Sequence, residues 1–328
     1  LKAPLAPAAV HPIAYGDGMA HLSADAYRRA RSFLQERARP LERHAFEFDF
    51  EGAPAWPVFD ALAHYRNPDG GFGHGLEPDA LTGASGALAT SVALHRLAEA
   101  DAARDHPLVT GAVDYLTQTL DPTTRVWRIV PEATCDAPHA PWWAQDGLEA
   151  RFHGFTLNPK ADIVAMLYTL GPAADEGWLD GLAEDVVREA EGRAAAGLEM
   201  HDLINVAHLL DAPHLSPGLR RRLLEMVVPI AQDSVGHGPE DWAGYGLKPL
   251  ALAPRPDTAL ASVLADPLQA HLDFLIATQV EDGAWWPAWS WGDDADPAAW
   301  ADSRVAWAGM LTLDALRHLR AFGRIDAG

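Results

Sequence analysis

Two glycine-rich turns, far apart in the chain, spell the same signal and confine the fold more than any other feature of the sequence. The first runs from Tyr65 to Asp79 as YRNPDGGFGHGLEPD, the second from Thr278 to Trp291 as TQVEDGAWWPAWSW. Each holds an acid, a glycine and an aromatic in the order Asp-Gly-x-aromatic: Asp69, Gly70 and Phe72 in one, Asp282, Gly283 and Trp285 in the other. Glycine and proline at this density specify a tight turn rather than a slack loop. An acid beside a helix start satisfies free N–H groups and complements the helix dipole. Glycine admits a positive φ, and the aromatic packs between neighbouring helices. Asp69, Asp282 and Trp285 therefore read first as structural fasteners.

Between these turns the hydrophobic period is helical. Ser23 is the N-cap of a helix expected from about Ala24 to Arg37, which Pro40 ends. The aromatic run HAFEFDFEG alternates and reads as irregular chain. Pro57 opens a helix that turns Val58, Leu62 and Tyr65 inward. Ser85 begins an alanine-rich helix to about Ala100, and Pro107 opens one that closes near Leu120. Further helices are expected at about Pro159–Leu170, Leu179–Ala195, Met200–Leu210, Pro217–Gln232, Leu264–Gln279 and Asp302–Phe322. The irregular stretches are 121–158 and 234–256; the second carries Trp242, Tyr245 and Lys248. A long irregular stretch inside a compact domain is commonly functional. Arg66 and Gln118 each close a helix before an aromatic loop, about one 50-residue step apart, and Gln279 follows about three steps later. GPAADEGW, with Gly177 and Trp178, stands where a degenerate copy of the turn belongs. About six helical hairpins of this size account for the chain, with residues 1–22 as an irregular N-terminal arm and 23–328 as a single domain.

Composition narrows the partners. The formal net charge is −21, and 48% of the residues are hydrophobic. Nucleic-acid binding needs a basic footprint, and so does docking on anionic lipid; neither partner is expected here. Cys135 is the one cysteine, which excludes an internal disulfide and a cysteine-rich zinc site, and fits a cytoplasmic protein. No apolar run approaches the ~20 residues a membrane span needs.

The spacing Gln279-x3-Gly283-x-Trp285 resembles the glutamine–tryptophan repeat of the squalene cyclase and protein prenyltransferase superfamily. Three blocks, Asn67–Asp79 (NPDGGFGHGLEPD), Pro138–Trp143 (PHAPWW) and Leu311–Ile325, are similar to a bacterial family of single-toroid, prenyltransferase-like proteins. The resemblance implies an all-α fold, an α/α toroid whose inner helices surround a central cavity. It brings no catalytic assignment. The superfamily's acid motif for alkene protonation, Asp-x-Asp-Asp, is absent; Asp293-Asp294-Ala295-Asp296 is the nearest stretch and reads as a solvated loop or helix cap. Asp-Asp-x-x-Asp is absent too. Cys135, Asp136 and His139 are zinc-compatible donors, but the prenyltransferase ligand spacing is not reproduced. His201 and His208 lie two turns apart on one helix, too far for one ion, and read as interior or rim histidines. No metal and no cofactor is expected.

Chemistry is sought in what the turn does not need. FGHGLEPD adds His74, Glu77 and Asp79 to the first turn. A carboxylic acid in a dry aromatic cavity can protonate an apolar substrate, and aromatic faces then stabilise cations. Glu77 or Asp79 is the candidate proton donor and His74 or His139 its partner. Trp142, Trp143, Trp286, Trp289 and Tyr245 are candidate pocket aromatics. The expected function is terpenoid cyclase-like or isomerase-like acid–base chemistry on an isoprenoid or another apolar small molecule. Two alternatives stand beside it. One is a carbohydrate-active α/α barrel, with Glu77 and Asp79 as paired carboxylates and Trp142 and Trp143 as sugar platforms. The other is a toroid that holds a lipid or isoprenoid without changing it. A nucleophile elbow, a phosphate loop and a dinucleotide fingerprint are all missing.

Overall fold

The computed structural model describes residues 19–171 and 176–326 and the backbone of the pair Ala3–Pro4. Regular structure in this span is almost entirely helical. In chain order the helices are α1 (Ala24–Glu36), α2 (Pro40–Glu51), α3 (Trp56–Ala63), α4 (Ala87–Glu99), α5 (Pro107–Thr119), α6 (Leu148–Arg151), α7 (Lys160–Leu170), α8 (Glu176–Arg193), α9 (Met200–Asp211), α10 (Pro217–Ser234), α11 (Pro239–Trp242), α12 (Pro249–Leu252), α13 (Ala265–Ala277) and α14 (Pro297–Ala321). Two short strands, β1 (Ala3–Pro4) and β2 (Trp289–Ser290), pair antiparallel. Among the described residues no helix is long and apolar enough to cross a membrane. Most of the expected arm, residues 1–22, lies outside the described span.

The chain divides into two compact units, Pro54–Ile230 and Leu1–Ala53 with Ala231–Gly328. In the first, α7 is the central helix: all but one of its 11 residues are buried, and it packs against α4, α8 and α9. In the second, α14 packs against α1 and α2. The segment before α1 and the segment after α14 meet in this second unit. The Leu22 amide donates to Arg324 O (2.7 Å), and the Asp326 amide donates to Leu22 O (3.1 Å). The buried Arg324 guanidinium reaches Ala20 O (2.5 Å), Gln269 Oε1 (2.8 Å) and Asp273.

Local chemistry explains where the helices start and where the sequence reading misplaced them. Ser23 Oγ accepts from the Ala26 amide (3.2 Å) and caps α1 as expected. Pro40 does not simply end that helix; it is the first residue of α2, where its missing N–H costs no intrahelical bond. The run HAFEFDFEG is helical rather than irregular. Phe46 and Phe50, one helical turn apart, stack at 5.2 Å, and Gly52 ends the helix at φ 71°. The last helix starts at Pro297, before the expected Asp302, because Asp296 caps it by accepting from the Ala298 (2.8 Å) and Ala299 (3.1 Å) amides. Of the Asp293–Asp296 run, Asp296 is thus the helix cap, and Asp293 and Asp294 are exposed in the turn before it. Gly177 and Trp178 lie within α8 rather than in a turn; residues 172–175 lie outside the described span.

The two Asp-Gly-x-aromatic stretches each fold into a turn of the same pattern. The Gly70 amide donates to Asn67 O (3.0 Å), and the Asn67 amide to Gly71 O (2.9 Å). In the second turn Gly283 donates to Val280 O (2.9 Å) and Val280 to Ala284 O (3.0 Å). Asp69 Oδ1 accepts from the Gly71 amide (3.0 Å), as Asp282 Oδ1 does from Ala284 (3.1 Å). The aromatic residue's amide then donates to a buried threonine hydroxyl on the next long helix. This is Phe72 to Thr90 Oγ1 in one turn and Trp285 to Thr312 Oγ1 in the other, at 3.1 Å each. A third loop keeps part of the device. Trp127 Nε1 donates to Leu116 O near the end of α5 (2.7 Å), as Trp285 Nε1 does to Leu275 O near the end of α13 (2.8 Å).

Candidate functional site

In the unit Pro54–Ile230 the loop after the first turn folds against the Pro138–Trp143 loop. The Leu81 amide donates to Pro138 O (3.0 Å) and the Ala140 amide to Asp79 O (2.8 Å), which leaves Ala80 and His139 as an antiparallel bridge. The stretches carrying Glu77, Asp79, His139, Trp142 and Trp143 are therefore neighbours. Asp79 has no exposed surface, and Glu77, Trp142 and Trp143 are buried. Trp143 stacks on Phe152 (5.2 Å between centroids). His139 is half-buried and its Nδ1–H donates to Ala137 O (2.7 Å). His74 is exposed at φ 54°, and its Nε2–H donates to Asn67 Oδ1 (2.9 Å), so it fastens the turn from outside. Asn67 Nδ2 in turn donates to Gly83 O and Ser85 Oγ, both at 2.9 Å.

The other aromatic candidates belong to the second unit. Tyr245 and the buried Trp289 meet edge to face at 5.3 Å, and Trp289 meets Trp307 at 5.1 Å. Trp286 is half-buried against Phe33, with the guanidinium groups of Arg304 (4.4 Å) and Arg37 (5.2 Å) over its ring. Its π-face already holds two cations of the protein's own.

A different set of side chains converges on Asp162 in α7. His95 Nε2–H from α4 and His208 Nδ1–H from α9 both donate to Asp162 Oδ1, at 2.8 and 2.6 Å. Ser91 Oγ, one turn before His95, donates to Oδ2. The two rings meet edge to face at 5.4 Å. The aspartate side chain is 10% exposed, the imidazoles 30% and 34%. Burial alone would raise the Asp162 pKa; the two imidazoles outweigh it and hold the carboxyl well below its usual range. The same pairing, working against burial, holds the His95 imidazole above its usual value. Asp162 is thus a carboxylate inside a buried helix, made tolerable by two imidazoles and a hydroxyl. Such a set can relay protons, or it can hold a cation in place of the two shared protons.

Among the described residues this is the grouping whose nitrogen and oxygen donors lie within 4.8 Å of one another. Cys135, Asp136 and His139 form no such grouping. Cys135 is exposed, and slight burial followed by the adjacent Asp136 pushes its thiol up, away from the thiolate that zinc requires. A polar cleft of about 360 Å³ between α8 and α10 is lined by Asp180, Glu184, Arg221 and Arg222 among others, and Arg222 is already paired with Glu184 and Glu191. Sequence reading weighed His208 only against His201, found the two too far apart for one ion and took both for interior or rim histidines; His201 meets Glu199 (3.0 Å). Its real partners lie on two other helices. The available signal was Asp162 itself, a lone acid in the otherwise apolar stretch ADIVAMLYTL.

Searches with the sequence match no protein-family model and no curated protein.

Proposed function

We propose that the chain is an α/α toroid of about six helical hairpins, closing residues 23–328 into one domain, and that it carries out acid–base cyclisation or isomerisation of an isoprenoid-like apolar molecule. The observation that carries the chemical part is the backbone pairing of the Glu77–Leu81 stretch with Pro138–Ala140, which gathers two buried acids, a histidine and two indoles into one neighbourhood. A carboxyl kept from bulk water among aromatic rings is the environment that protonation of an apolar substrate demands. In this reading Glu77 or Asp79 donates the proton, His139 is its partner, and Trp142 and Trp143 face the developing cation. Both acids are covered, so substrate enters when the two paired loops part.

The architectural part is supported by the repeated turn and by the place of α1. The first turn seats its glycine on α5, the helix that follows α4. The second seats its glycine on α1, which stands where a further helix after α14 belongs. A ring of hairpins needs that substitution at its closure. The test is incubation of the purified chain with prenyl diphosphates, squalene and free isoprenoids, read by mass spectrometry beside Glu77→Gln and Asp79→Asn. A cyclised or isomerised product lost in either variant is expected. Retention of unchanged isoprenoid by all three proteins would instead establish a binding toroid, and cleavage of oligosaccharides would overturn the isoprenoid reading.

A further inference from the structure

We propose that His95, Asp162 and His208 form a binding site for one divalent transition-metal ion, zinc above all, with a fourth position open to solvent or to a substrate oxygen. The site shares no residue with the acid-bearing loop, so it stands or falls separately from the isoprenoid reading.

The donor set is two imidazole nitrogens and one carboxylate oxygen, from α4, α7 and α9, with all three atoms within 4.8 Å of one another. Three protein ligands of this kind and one vacant position are the pattern of catalytic zinc. Two imidazoles in three disfavour magnesium and calcium, which prefer oxygen throughout. The carboxylate is also held as a metal ligand is held. Oδ1 faces both imidazoles, and Oδ2 is fixed by the Ser91 hydroxyl. Such outer contacts orient a ligand and set its basicity. Ser91 is buried and one helical turn from His95, so a single face of α4 supplies both a ligand and its support.

Charge and geometry are compatible with exchange of protons for metal. Two N–H groups now converge on one oxygen; a dication would take the place of the two protons, lying between the deprotonated nitrogens and that oxygen. Donors around tetrahedral zinc lie ~3.3 Å apart, whereas the nitrogen–oxygen contacts are 2.6 and 2.8 Å. The His208 contact therefore opens by about 0.7 Å and the His95 contact by about 0.5 Å, which a turn of each partly exposed imidazole supplies. The same exposure, 30% for His95 and 34% for His208, gives a fourth ligand its approach.

The experiment uses the whole chain, stripped with a chelator and titrated with zinc, with bound metal counted by elemental mass spectrometry. Cobalt substituted for zinc reports coordination through its visible absorption. One ion per chain is expected for the wild type and for His201→Ala, with stoichiometric binding lost in His95→Ala and in His208→Ala. Ser91→Ala is expected to weaken binding about 10- to 100-fold, the range for loss of an outer contact. Circular dichroism checks folding. Should an alanine variant unfold, His95→Gln and His208→Gln keep an N–H for Asp162 while removing the metal-binding nitrogen, and loss of zinc is again expected. Failure of the wild type to bind stoichiometric zinc, or its retention in both histidine variants, overturns the site.

Discussion

In the turn after α3 the glycine rests on α5, where a Cβ on Gly70 would lie 2.4 Å from Gly111 O; in the turn after α13 it rests on α1, where a Cβ on Gly283 would lie 2.3 Å from the Arg29 carbonyl. Both glycines have φ near 90°. Around this shared seat the side chains differ. Asp69 uses its carboxylate to take the Ser85 hydroxyl (2.8 Å), which ties the turn to the approach of α4. Asp282 takes Arg37 (2.8 Å) and the Trp286 indole, which ties its turn to the end of α1. Arg66 lies over Gly111, while Gln279, at the matching place, donates to Ala26 O (2.9 Å) and to Gly283 O (3.0 Å). What recurs is backbone geometry, one glycine, one threonine hydroxyl and the aspartate oxygen that accepts the amide two residues on. The acid is a fastener in both turns, and any chemistry must come from residues outside the repeated word.

The hardest way to break this equivalence is at the glycines. Gly70→Ala and Gly283→Ala each force a Cβ into backbone that cannot step aside and strain a positive φ, so each is expected to lose on the order of 3 kcal/mol or more in urea denaturation. At Gly71, which has no positive φ, the atoms nearest an added Cβ belong to Ser85 and Tyr115, at 2.7 to 2.8 Å, so Gly71→Ala also forces a shift but adds no φ strain, and the second turn already carries Ala284 there; its loss should be smaller. A Gly71 variant as damaging as the Gly70 variant would show that the two turns are not the same device.

Next in size are the threonines. Thr90→Val and Thr312→Val leave the Phe72 and Trp285 amides buried without their acceptor, and about 2 kcal/mol should be lost at each. Thr90→Ser and Thr312→Ser, measured the same way, should recover most of it. A response at only one site would end the comparison.

The smallest effect, when read near pH 6, separates the two regions by pH. α13, which leads into the second turn, buries His271 against Trp242 and Phe274, whereas α3 contains no histidine. Burial, with Lys248 and His318 adding like charge, pushes the His271 pKa from 6.5 down to about 3. The folded chain therefore binds this proton less readily than the unfolded chain. The stability is fully present above pH 6.5 and falls as the pH drops from there towards 3, by at most about 1.4 kcal/mol per pH unit. His271→Phe should flatten that acid slope in pH-dependent denaturation. An unchanged slope would mean that His271 is not the group responsible.

Much of the helical order was readable because its signals are local. Ser23, Pro57 and Pro107 mark helix starts through their own backbone chemistry, and the period of α1 and α9 follows from burial of one face. The failures were places where two local signals competed. Pro40 serves as a break and as a first residue at once, and the Phe46–Phe48–Phe50 alternation hid a stack of Phe46 on Phe50. The candidate sites were less legible. The pairing of Ala80 with His139 joins loops that no period links, and Asp162 finds His95 and His208 only after three helices have assembled. Tertiary approach, not spacing, makes such a centre, and a sequence records it only as one acid among apolar neighbours.

The burial of α7 has a consequence for how the unit around it opens. A helix with nearly every side chain covered has no face from which its amides can reach solvent by local fraying, so most of them exchange hydrogen only when the unit opens as a whole. Asp162 sits near the start of that helix. Any ligand held there, proton or metal, would slow exchange along α7 and along the faces of α4 and α9 together. The amides of one buried helix thus report the occupancy of a site they do not touch.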